Sequence, residues 1–250
     1  MKLKQQQKED SEDNDNIVEV ARSPRVLAVT HSNGAADVLL QVLLQMNVPA
    51  VRAGRPASVS PSVQHRTIAA LSEKIPAVVE LRRQAGDVSL DSETRQSAIY
   101  EAKKYMNDAQ SVIARSAQVV VASCIGAQQL LTTVGGGYKV DESVFDIVVL
   151  DEAAQTTEPA LICALAASNA CQLVLVGDTM QLPPTVTTQD AELRKTIGIS
   201  PMERLLKNGI DEFVLKEQYR MPQALLHHPN TYFYGSVVKC KYGAFFVVTC

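Results

Sequence analysis

Two adjacent carboxylates, Asp151 and Glu152, follow the apolar run Ile147–Leu150. A buried strand ending in Asp-Glu fixes both groups at the open edge of a sheet. There the first can hold a magnesium ion, usually through water, and the second can orient or deprotonate an attacking water. The same pair would serve equally well to complement the N-terminal dipole of the next helical segment, near Pro159–Ala167. A second apolar run, Leu173–Val176, ends in Gly177-Asp178, and Gln181 follows on a loop stiffened by Pro183-Pro184. A neutral amide in that place suits sensing of a terminal phosphate, although Gly-Asp and Pro-Pro are also ordinary turn dipeptides.

Further candidates flank these. In Glu217-Gln218-Tyr219-Arg220-Met221-Pro222, an arginine just after an expected strand can stabilise charge on a transferred phosphoryl group, and the neighbouring tyrosine can stack on a base. An exposed loop arginine reads the same way. Thr30-His31-Ser32-Asn33-Gly34 sets hydroxyls, an amide and free N–H groups at a helix start, which suits a phosphodiester backbone and also suits plain capping. Ser123-Cys124-Ile125-Gly126 follows the same logic with the same alternative.

These residues need a scaffold, and the sequence supplies a repeated strand-then-helix grammar. Val26–Val29, Val119–Ala122, Ile147–Leu150, Leu173–Val176 and Phe213–Leu215 read as strands. After the first, Val38, Leu39, Val42, Leu43 and Met46 recur at helical spacing. Alternation of this kind predicts an α/β fold: a parallel sheet covered by helices on both faces, with ligands at the carboxyl ends of the strands. Residues from about 60 to 115 break the rhythm. Ile68, Leu71, Ile75 and Val78, then Ile99, Ala102, Met106, Ala109 and Ile113, predict two amphipathic helices. The first would be bent by Pro76, and the turn would fall near Gly86–Asp91. A projecting hairpin and a helical layer of the core both fit this pattern.

Composition narrows the class. The chain has 250 residues, enough for one large domain or two small ones, and a net charge of −3, which neither supports nor excludes a nucleic-acid groove. Its five cysteines show no C-x-x-C spacing, so no zinc site is expected and a reducing intracellular setting, nucleus or cytoplasm, fits better than a disulfide framework. The N-terminus lacks the apolar run of a signal peptide, and no stretch is long enough to span a bilayer, so no membrane partner is expected. Residues 1–24, polar through Asn16, are expected to be a disordered tail.

Taken together and in order, these motifs resemble superfamily 1 helicases of the group that includes the nonsense-mediated-decay helicase and senataxin. Thr30-His31-Ser32-Asn33 looks like motif Ia, Val119–Gly126 like motif Ib, and Asp151-Glu152-Ala153-Ala154-Gln155 like motif II. Val176-Gly177-Asp178 through Pro184 looks like motif III, and Gln218–Met221 like motif IV. Val51–Pro56 and the helical stretch after it look like the group's stalk insertion. The resemblance covers about Arg25 to Lys239. It implies a RecA-like first motor domain over residues 25–220 and the start of a second over 221–250.

It also implies ATP and Mg2+ as cofactors and single-stranded RNA or DNA as partner, with protein partners in an RNA-processing or decay complex. By position, Asp151 would bind magnesium and Glu152 would be the catalytic carboxylate. Gln155 and Gln181 would meet the γ-phosphate or the attacking water, and Gly177 and Asp178 would line the nucleotide site. Arg220 would reach the γ-phosphate and Tyr219 the adenine. Thr30, Ser32, Asn33, Ser123 and Cys124 would touch the nucleic-acid backbone.

The chain departs from the pattern in three ways. No G-x-x-x-x-G-K-[ST] phosphate loop occurs in the 250 residues. The strand before that loop is therefore expected to be missing, leaving an exposed edge at the centre of the sheet, and the chain as it stands is expected to be inactive. The second motor domain is expected to be truncated, with Lys241–Cys250 reading as foreign sequence. Finally, Arg220-Met221-Pro222 lacks a residue that the group usually carries before the proline. The alternative is a pseudo-helicase that binds nucleic acid or protein without catalysis.

Overall fold

The computed structural model describes residues 23–130, 145–168 and 170–241. The expectations for the polar tail fall almost wholly outside these residues, as do those for the C-terminal segment. Five strands form the main sheet: β1 (Val26–Thr30), β2 (Ala50–Arg52), β3 (Val119–Ser123), β4 (Ile147–Asp151) and β5 (Gln172–Leu175). Their order is β2-β3-β1-β4-β5 and every pairing is parallel. The register is even. Val26 lies opposite Val119 and Ile147, and Thr30 lies opposite Ser123 and Asp151. This is the parallel α/β sheet that the alternating grammar predicts and the RecA-like sheet that the resemblance implies.

Helices cover both faces, because parallel strands need crossovers. They are α1 (Asn33–Gln45), α2 (Pro61–Gln64), α3 (Ile68–Ser72), α4 (Pro76–Gly86), α5 (Ser92–Ser116), α6 (Glu158–Ser168), α7 (Ala191–Ile197) and α8 (Pro201–Lys207). Side chains alternate along each strand and so separate two apolar layers. Leu27, Val29, Val120, Ala122, Val148 and Leu150 pack on one face with Ile68 of α3, Ala114 of α5 and Leu161 and Ala164 of α6. Ala28, Ala50 and Val121 pack on the other with Ala36 and Leu40 of α1 and Val63 of α2. A second, two-stranded parallel sheet joins β6 (Glu217–Gln218) and β7 (Lys239–Cys240) around α9 (Gln223–Phe233).

Four local readings are corrected. Pro76 starts a helix instead of bending one: it occupies the first turn of α4, where its missing N–H costs nothing, so α3 and α4 are separate. The segment beginning at Val51 is not all insertion, since Ala50–Arg52 forms the outer strand β2. Phe213–Leu215 is not a strand. Phe213 is 99% exposed, and the pairing begins two residues beyond Leu215, at Glu217. The sheet also has no gap at its centre, because β1 is hydrogen-bonded on both sides. The unpaired edge falls on β5, which has one neighbour among the described residues and exposes Leu173 and Val174.

The helical hairpin keeps its predicted turn. Asp87 accepts from Ser89 N and Asp91 caps α5 by accepting from Thr94 N, both at 2.9 Å. Val78 of α4 and Ala98 and Ala102 of α5 are buried outside both sheet cores, whereas Ala114, near the end of α5, lies within one. The hairpin therefore extends away from the sheet and is anchored by the last turns of α5.

That anchor is clamped by Arg25. Its backbone N donates to Asp146 at 2.6 Å, its guanidinium donates to the carbonyls of Ala114 (2.7 Å) and Ala117 (3.3 Å), and it lies 4.9 Å from the Phe145 ring centroid. It satisfies orphan carbonyls at a helix C-terminus, where positive charge is favourable. Arg25→Met is expected to lower the unfolding free energy by about 1–3 kcal/mol, measured by urea titration. Val174→Lys on the β5 edge is expected to reduce self-association in light scattering without changing far-UV circular dichroism.

Candidate functional site

The carboxyl ends of β1, β3, β4 and β5 bring together most of the residues singled out from the sequence. Asp151 is the last residue of β4, and Glu152 follows in the left-handed backbone region at φ 56°, ψ 42°. A non-glycine residue there is strained by about 1–3 kcal/mol and persists only where its surroundings hold it. Here the Glu152 N–H donates to Asp151 Oδ1 at 3.0 Å, and Thr156 Oγ1 donates to the Glu152 carbonyl at 3.3 Å. Gln155 Nε2 donates to Glu152 Oε2 at 3.0 Å. Both carboxylates remain half-buried at the rim.

The loop after β5 is docked onto this turn. Val176 N donates to the Leu150 carbonyl at 2.8 Å, and Ala153 N donates to the Val176 carbonyl at 2.9 Å. A Cβ on Gly177 would lie 3.0 Å from the backbone nitrogens of both Ala153 and Ala154, so any larger residue would push the loop back from the turn by a few tenths of an ångström. Asp178 is thereby set beside the turn, where it accepts from Tyr234 Oη (2.7 Å), Gln181 Nε2 (2.9 Å) and Met180 N (2.9 Å). Burial pushes its carboxyl up, but these hydrogen bonds outweigh that effect and hold it below the ordinary aspartate range. The hydrogen bond to Asp178 in turn raises the Tyr234 phenol. Gln155 and Gln181 thus each spend one amide N–H on a neighbouring carboxylate.

Arg220 and Tyr219 lie on the segment that follows β6. Both are exposed beyond β6, Tyr219 Oη donates to Glu217 Oε2 at 3.2 Å, and no hydrogen bond or ion pair joins Arg220 to Asp151 or Glu152 among the described residues.

The second group of candidates divides by orientation. Ser32 caps α1 by accepting from Ala35 N at 3.2 Å, and Asn33 is exposed. Thr30 and Cys124 are fully buried. Thr30 Oγ1 donates to the Ser32 carbonyl at 2.7 Å, while burial pushes the Cys124 thiol up to about 12. Ser123 Oγ donates to Asn33 Oδ1 at 2.9 Å and accepts from Gly126 N at 3.1 Å. The side chains of Thr30, Ser123 and Cys124 therefore serve the protein interior. Ser32 and Asn33 lie toward solvent.

Sequence reasoning missed three contributors: Tyr234, Arg52 and Asp37. Arg52 and Asp37 carried a usable signal, a charge inside an apolar strand and another on the core stripe of a helix. Tyr234 carried none, because its partner lies 56 positions away.

The carboxylate pair suits magnesium. Its donors are oxygen only, and Mg2+ takes one or two carboxylates and completes its shell with water and phosphate. Among the described residues no lysine or arginine is hydrogen-bonded or ion-paired to either carboxylate, and the sequence has no glycine-rich lysine loop to cradle phosphates. The carboxylate pair therefore fits the metal side of a nucleotide site.

A family described as "AAA domain" matches residues 78–189. An uncharacterised ATP-dependent helicase of Methanocaldococcus jannaschii is 27% identical over 86% of this chain and 38% of its own length. A regulator of nonsense transcripts 1 homolog of Drosophila melanogaster is 30% identical over 84% of this chain and 17% of its own. The DNA-binding protein SMUBP-2 of Mus musculus is 31% identical over 83% and 22%. The chain thus spans well under half the length of these relatives. With the parallel sheet, the Asp-Glu turn on β4 and the glycine-docked loop after β5, this similarity leads to one assignment: the chain belongs to the superfamily 1 helicases of the nonsense-mediated-decay and senataxin-like group.

Proposed function

We propose that the chain contributes a motor domain to an ATP-dependent translocase acting on single-stranded RNA or DNA, inside the cell in nucleus or cytoplasm. The observation that carries this reading is the register of the sheet. Thr30 lies between Ser123 and Asp151, so the strand ends bearing the backbone-contact motifs and the strand end bearing the carboxylates open on one edge. Names among the relatives include both a regulator of nonsense transcripts and a DNA-binding protein, which keeps both nucleic acids in view. No described helix is long and apolar enough to cross a membrane. Protein partners in an RNA-processing or decay complex belong to the same reading.

In this proposal Asp151 holds magnesium and Glu152 orients the attacking water, with its left-handed backbone aiming the carboxylate off the strand end. Bound magnesium would neutralise charge developing on the phosphates. Gln155 keeps an amide N–H and its carbonyl, and Gln181 its carbonyl, for a phosphate or the water. Gly177 and Asp178 shape the same rim, and Arg220 and Tyr219 serve the γ-phosphate and the base. Ser32 and Asn33 meet the strand backbone directly. Thr30, Ser123 and Cys124 shape their turns from inside.

The missing glycine-lysine loop favours a second reading for this chain as it stands: it binds strands without turnover. With Mg2+ and a single strand present, the 250-residue chain is expected to release phosphate from ATP no faster than its Glu152→Gln variant. Activity that disappears in that variant would count against this reading. Labelled single strands are expected to bind in an anisotropy titration without ATP and to weaken as salt rises. Failure to bind any strand at low salt would remove the nucleic-acid assignment.

A further inference from the structure

Arg52 is fully buried, although it ends an outer strand. Its Nε donates to Asp37 Oδ1 at 2.9 Å, its Nη1 donates to the Ala53 carbonyl, and its Nη2 donates to Asn33 Oδ1 at 3.1 Å. Asp37, also buried, uses its other oxygen to accept from Ser60 N at 2.7 Å, so neither charge is left uncompensated. Gly54 makes room for the guanidinium. Its φ is +147°, and a Cβ there would lie 3.1 Å from Nη1.

The consequence falls on Asn33. A guanidinium can only donate, so the Asn33 atom facing it must be the carbonyl oxygen. The same oxygen accepts from Ser123 Oγ at 2.9 Å. With Oδ1 held from two sides, the amide plane is fixed and Nδ2 points away from both donors. It has no protein partner among the described residues, and Asn33 is exposed. Without Arg52 the amide could turn over, because the Ser123 hydroxyl can accept as well as donate, and it would then present an acceptor, which a phosphate oxygen would repel.

We propose that Arg52, held by Asp37, is a positioning residue that locks the Asn33 amide with its N–H donors outward, toward a phosphate of the bound strand. The phosphate part rests on the nucleic-acid reading above. The orienting part does not.

Two variants test it without leaving a bare charge in the core. Arg52→Lys keeps the ion pair with Asp37 but lacks the fork needed to serve Asp37, Ala53 and Asn33 together. Arg52→Gln combined with Asp37→Asn is neutral and keeps an acceptor for Ser60. Folding of both is checked by circular dichroism and thermal melting. In the parent chain the Asn33 side-chain amide is expected to be as rigid as ordered backbone, with a 15N order parameter of about 0.85, falling below about 0.6 in a folded variant. An Asn33 amide that stays rigid in the folded variants overturns the orienting role, whether or not strands bind. In anisotropy titrations Asn33→Ala is expected to weaken strand binding by about fivefold. Each Arg52 variant should lose a similar factor and lose nothing more when Asn33→Ala is added. Fully additive losses would show that Arg52 acts by another route. If the parent chain binds no strand, the phosphate assignment falls and the relaxation measurement alone decides the orienting role.

Discussion

The in-register parallel pairing of β3, β1 and β4 is the constraint on which the rest depends. Its backbone hydrogen bonds set Ser123, Thr30 and Asp151 side by side at one edge. A slip of one residue on any strand would turn its side chains to the opposite face. Leu27, Val29, Val148 and Leu150 would leave one apolar layer, and the motif ends would no longer be level. Burial of both faces therefore enforces the register, and the register assembles the site.

At that edge, polar groups are ordered mainly by one another. Glu152 is held in a strained backbone state by its neighbours' hydrogen bonds, and Asp178 is held ionised by three donors from two separate elements. The Asp37–Arg52 pair extends the pattern inward. Two buried charges are tolerable because they pair with each other and with further hydrogen-bond partners, and their geometry is passed on to the exposed amide of Asn33. Tyr234 plays a similar part from beyond α9, linking the small β6–β7 unit to the loop after β5.

Among the described residues, β5 is an unpaired edge of the main sheet. Leu173, Val174 and Val176 are partly exposed, and elsewhere in the chain Phe213 and Leu215 are largely exposed. Apolar residues of strand character remain at the surface here because the described residues supply no neighbour to cover them. Phe213–Leu215 shows why an apolar run alone does not make a strand: pairing needs a partner as well as propensity.

The sequence by itself determined the fold class, four of the five main strands, the helical hairpin with its turn, and the motif order that places the chain in its family. These are local properties: side-chain period, capping residues, and glycine or proline at turns. Only the tertiary structure decided that Ala50–Arg52 joins the sheet, that Pro76 begins a helix, and that Thr30, Ser123 and Cys124 turn inward while Asn33 turns out. Strand order, burial and the partners of a buried charge are set by residues far apart in the chain. Asp37 and Arg52 meet across 15 positions, Asn33 and Ser123 across 90, and periodicity cannot report a distance of that kind.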